Sequence, residues 1–104
     1  VLAHPAHTAE LETRVLPTLV LAGLQGLECY YGEYDDATVE RLRALADAYG
    51  LIATGGSDYH GPGIHPTPLG GRFVPPEAVE RLRRSAAFLH RLPAPPFAMP
   101  TASA

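Results

Sequence analysis

The stretch Leu51-Ile52-Ala53-Thr54 runs straight into Gly55-Gly56-Ser57-Asp58-Tyr59-His60-Gly61. The first four residues read as a short buried strand. A glycine-fenced loop comes next, with an aspartate and a histidine two positions apart. In a strand, residues i and i+2 point to the same side. Such a strand end aims a carboxylate and an imidazole into one space. Mixed O/N donor sets of this kind hold divalent metals such as Zn, Mn and Fe. Val1-Leu2-Ala3-His4-Pro5 is a second apolar run that ends in a histidine. Two strand ends that each deliver ligands read as one half of a metal site.

The remaining elements alternate. Val1 to Ala3 read as a short buried strand. Thr8 is a capping candidate for the next helix, with Glu10 and Glu12 suited to a helix N-terminus. Pro17 fits the first turn of a helix that runs to about Ala22 and stops at Gly23. Leu27 to Tyr31 is a strand ended by Gly32. Asp35 or Asp36 opens the clearest helix, in which Val39, Leu42, Leu45, Ala46 and Tyr49 recur at helical spacing and Gly50 closes. After the Leu51–Thr54 strand comes a Gly/Pro-rich loop from Gly61 to Arg72. Pro75 and Pro76 start a last helix with Val79, Leu82, Ala86 and Leu89 as its apolar stripe. From Pro93 a Pro/Ala-rich run reads as a disordered tail over 93–104. Strand, helix, strand, helix, strand, loop, helix implies an α/β fold with parallel strands and crossover helices. In such folds functional groups gather at the C-terminal ends of strands. His4, Tyr31 or Glu33, and Asp58 with His60 all fall there.

Composition narrows the function. The 104 residues carry 46% hydrophobic and 18% charged residues, with a net charge of −3. That is one small globular domain without the basic footprint of a stable nucleic-acid binder. Every cation is Arg. Apolar runs fall short of the ~20 residues that a membrane helix needs, so the cytoplasm is the expected location. Cys29 is the single cysteine; it excludes an intrachain disulfide and reads as a small core residue. The chain opens on Val1 within an apparent buried strand, so we expect a C-terminal piece of a larger protein.

Other residues offer a role beside a structural one. Glu28, between Leu27 and Cys29, is costly to bury unless paired. It could bind metal, orient a ligand histidine or meet an Arg. Tyr31 is read as sharing the strand face of Glu28, either packed or lining the site. His65 is first a surface histidine; its alternative is a phosphate-binding or proton-donating group over the site. His7 has the weaker case for contact. Arg72 could grip a phosphate or simply be solvated. Arg81, Arg83 and Arg84 are an exposed helix face, and His90 suits a helix C-terminus.

Three segments carry a resemblance to the PHP (polymerase and histidinol phosphatase) phosphoesterase family, nearest its stand-alone members related to nucleoside 3′,5′-bisphosphate phosphatase. Leu2-Ala3-His4-Pro5 resembles the family's histidine-proline motif. Gly26 to Tyr31 resembles its G-hydrophobic-E-hydrophobic strand. Thr54 to Gly63 resembles its closing S-D-x-H motif, with Leu69-Gly70 following. The likeness spans roughly residues 1 to 92. It implies the C-terminal part of a distorted (β/α)7 barrel with two or three divalent ions (Mn, Fe or Zn) at its C-terminal face. His4, Asp58 and His60 would be metal ligands. The family's opening H-x-H motif and its middle ligands have no counterpart in this chain.

The expected activity, for the complete protein, is metal-dependent hydrolysis of a phosphoester. The substrate would be a nucleotide or sugar phosphate, or an oligonucleotide end, and the expected partner is the missing N-terminal half of the domain. The alternatives are an inactive fragment and a structural PHP module such as a polymerase-associated one.

Overall fold

Asp35 and the apolar spacing after it define the central helix. In the computed structural model, which describes residues 1–91, the Asp35 side chain accepts a hydrogen bond from the Thr38 amide at 2.8 Å. That satisfies one of the unpaired N–H groups of the first turn. Helix α2 then spans Asp36–Ala48, and Val39, Leu42 and Ala46 are its buried residues. They pack on Leu27 and Cys29 of strand β1, Gly26–Tyr31, and join Leu11, Leu16 and Leu51 in one core.

Strand β2, Ile52–Gly56, pairs parallel to β1. The unit β1–α2–β2 is therefore a parallel pair joined by a crossover helix, as the alternation implies. The described residues form an α/β arrangement of two parallel strands and three α-helices, the others being α1, Leu16–Leu21, and α3, Glu77–Leu89.

Three expectations need correction. Val1 to Ala3 do not form a buried strand: only Leu2 makes a parallel bridge, to Leu27, and Val1 is 63% exposed. Thr8 does not open the next helix but closes a short 3-10 turn, Pro5–His7, its N–H donating to the Pro5 carbonyl; the following helical run begins after Glu10, which sits in a left-handed conformation without a side-chain cap. The first turns, Leu11–Val15, are wide π turns, and Pro17 enters only in the first turn of α1. The apolar stripe of α3 is largely in the open. Val79 is 50% and Leu89 45% exposed, and Ala78 alone is buried. Among the described residues two strands are too narrow to cover that face. The tail expected over 93–104 lies outside the described residues.

The β1–β2 ladder slips by one residue between Glu28 and Tyr30: Glu28 faces Thr54, but Tyr30 faces Gly55. Cys29 is the extra residue of a bulge. Strict alternation would set Glu28 and Tyr31 on opposite faces. The bulge instead turns both toward the N-terminal segment and the β2 loop, where the Glu28 carboxylate meets His4 and the Tyr31 hydroxyl meets Asp58. Tyr30 goes the other way, beside Arg43 and Asp47 of α2. The backbones close tightly there: a Cβ on Gly55 would stand 2.4 Å from the Tyr30 Cβ, so only glycine fits.

Candidate metal centre

β2 stops at Gly56, so Asp58 and His60 lie beyond the strand rather than on one of its faces. Their approach comes from a turn. Asp58 takes a left-handed conformation, φ 53°, which short polar side chains tolerate better than most. The turn brings the His60 Nδ1 to 2.6 Å from the Asp58 carbonyl oxygen. A carbonyl can only accept, so Nδ1 carries the hydrogen and Nε2 keeps the lone pair a metal needs. The two-residue spacing does bring the pair together, but a turn rather than strand alternation produces the approach.

Tyr31 arrives from the end of β1 and donates to Asp58 Oδ2 at 2.9 Å. That bond, then burial, pushes the Tyr31 phenol up to about 12. The loop after His60 returns over the site and delivers His65. Its Nδ1 lies 2.8 Å from Glu33 Oε1, and its Nε2 lies 3.7 Å from Asp58 Oδ2. The His60 and His65 rings meet edge to face with centroids 5.0 Å apart. Thr67 holds this loop down. It is buried, and a Cβ on Gly32 would lie 2.8 Å from its Oγ1. The loop therefore docks directly on the backbone at the end of β1.

Asp58, His60 and His65 can each offer one ligand atom, all within 4.8 Å of one another. One carboxylate oxygen and two imidazole nitrogens make a borderline donor set for Zn, Mn or Fe. The Asp58 side chain is 34% exposed and that of His65 26%, so the cluster is open on one side.

His4 stands across the same space. Its backbone is left-handed, φ 29°, and its N–H donates to Glu28 Oε1 at 2.8 Å. Glu28 thus reaches the main chain of His4; it meets neither an imidazole ring nor an Arg. The Ala6 N–H donates to the Tyr34 hydroxyl at 2.8 Å, which ties the next turn to the same wall. The cavity so enclosed is about 490 Å³. Four histidines (His4, His7, His60 and His65), two carboxylates (Glu33 and Asp58) and the phenols of Tyr31 and Tyr34 line it. Arg72 is half-buried and is absent from that lining.

The structure thus brings together His4, Tyr31, Asp58, His60 and His65. It also places on the lining Glu33, a carboxylate just past a strand end, His7, the weaker candidate of the sequence, and Tyr34, which left no signal there.

Over 61 residues the chain is 44% identical to a phosphoribosyl 1,2-cyclic phosphate 1,2-diphosphodiesterase of Eggerthella lenta. The match covers 59% of this chain and 22% of that relative, so the chain spans about a fifth of the relative's length. No family model and no solved structure matches the chain. Among the described residues no helix is long and apolar enough to cross a membrane.

Proposed function

We propose that this chain carries part of the metal site of a PHP-type phosphoesterase, within a barrel to which β1 and β2 contribute neighbouring strands. The observation that carries the reading is the Asp58–His60–His65 cluster at the C-terminal ends of two parallel strands, in a chain that is 44% identical over 61 residues to a named phosphodiesterase. Asp58, His60 and His65 hold one divalent ion, with His4 across the cavity available to a neighbouring one. When bound, such ions supply an activated water at neutral pH and offset charge on phosphate oxygens. Tyr31 fixes one carboxylate oxygen of Asp58, which leaves the other free to ligate. The substrate class is a small phosphorylated sugar or nucleotide, with a cyclic phosphodiester first among them because the relative's name specifies one.

The test is metal content by elemental analysis, for the wild type and for Asp58→Ala/His60→Ala, then hydrolysis assays of a ribose cyclic phosphodiester and a phosphomonoester. Stoichiometric Mn, Fe or Zn, lost in the double variant, is the expected result, with metal-dependent turnover by the complete protein. A folded wild type that retains no metal from Mn-, Fe- and Zn-containing buffer would sink the reading. A second reading rests on the small share of the relative that this chain spans: the chain binds metal yet turns nothing over alone. Bound metal without hydrolysis is its signature.

A further inference from the structure

Glu33 has no part in the Asp58–His60–His65 ligand set, yet it is the residue that fixes His65. The two side chains are 32 positions apart in sequence and meet at 2.8 Å, Nδ1 to Oε1. An ionised carboxylate only accepts, so this bond places the hydrogen on Nδ1 and the lone pair on Nε2. Nε2 is the atom that faces Asp58, 3.7 Å from its Oδ2. Without Glu33 the ring is free to turn about its Cβ–Cγ bond and to exchange tautomers. The loop itself would stay, because Thr67 against Gly32 anchors it independently. The geometry points to Glu33 as a positioning residue: it holds His65 in the one tautomer and orientation that make it the third ligand beside Asp58 and His60. This rests on the metal-site reading proposed for the cluster. Carboxylate–histidine–metal relays are a general device for orienting imidazole ligands and raising their basicity.

Glu33 also lines the cavity and could reach an ion itself, so the test must separate orienting from ligating. The chain is titrated with cobalt(II), monitored by calorimetry and by visible ligand-field absorption, with far-ultraviolet circular dichroism as a fold control. The variants are Glu33→Ala, Glu33→Gln, His65→Ala and Asp58→Ala. We expect Glu33→Ala to weaken cobalt binding about 10–100-fold and to show the spectrum of His65→Ala. Glu33→Gln, whose amide carbonyl still accepts from Nδ1, recovers most of that loss and keeps the wild-type spectrum. Wild-type affinity in Glu33→Ala overturns the inference. So does a Glu33→Gln variant as weak as Glu33→Ala, which would mean the carboxylate acts as a ligand or by its charge. If Asp58→Ala loses cobalt while both Glu33 variants bind like wild type, only the role of Glu33 falls. If the wild type binds no cobalt, the metal site falls with it.

Discussion

The Tyr31 hydroxyl and the Asp58 carboxylate, 27 residues apart, are joined by a 2.9 Å hydrogen bond between the ends of two parallel strands. The bond orients the carboxylate before any ion arrives. Tyr31→Phe removes it and leaves the ring packing against Tyr34 in place. We expect a loss of about 1 kcal/mol in stability, the usual net worth of such a bond, and weaker metal retention. Urea denaturation beside metal content checks both; unchanged values in each would show that Asp58 needs no partner.

Gly55 and Gly56 are adjacent and should behave differently. A methyl group on Gly55 would collide with Tyr30, whereas Gly56 has open space around its Cα. Gly55→Ala is expected to cost about 1–3 kcal/mol through forced separation of the strands. Gly56→Ala should fall near wild type. Equal midpoints for the two variants would contradict the bulge geometry.

Cys29 is fully buried, and burial pushes its thiol up to about 12 from an ordinary 9.0. The unfolded chain therefore gives up this proton first. Its contribution is intact below pH 9.0 and is lost as pH rises from there through about 12. A thiol reagent should modify the folded protein only as fast as it unfolds. The alkaline fall in stability should be shallower in Cys29→Ala, seen in denaturation midpoints across that range.

Asp35 titrates in the opposite sense. Hydrogen bonds from Thr38, the side chain first and then the backbone amide, hold its carboxyl below the ordinary 3.8. Its contribution is present above pH 3.8 and is lost as pH falls through the lower folded value. Asp35→Ala should destabilise the protein near neutrality and converge on wild type in acid, while Asp35→Asn keeps much of the cap. A deficit in Asp35→Ala that persists unchanged in acid would rule out the carboxylate as its source.

The parts of this fold that the sequence announces are those set by local chemistry. Asp35, the Val39-Leu42-Ala46 spacing and Gly50 mark α2 without help from the rest of the chain. The approach of Asp58 and His60 is likewise legible, because both lie in one short turn. His65 is not: what brings it in is Thr67 seating on Gly32 and Glu33 gripping its ring, contacts across more than 30 residues. The exposure of α3 is hidden for a similar reason. A stripe such as Val79 and Leu89 signals a helix that wants cover but says nothing about whether the cover is present.

The bulge at Cys29 makes β1 a strand with two phases. Before it, even-numbered positions address the site; after it, odd-numbered ones do. Glu28 can meet the His4 backbone and Tyr31 the Asp58 carboxylate on one side of the strand because a single residue resets the count between them. The irregularity is how one strand reaches both the His4 backbone at its middle and the Asp58 carboxylate at its end. Relatives of this strand are therefore best aligned with an odd interval between their inward residues, where a regular strand would demand an even one.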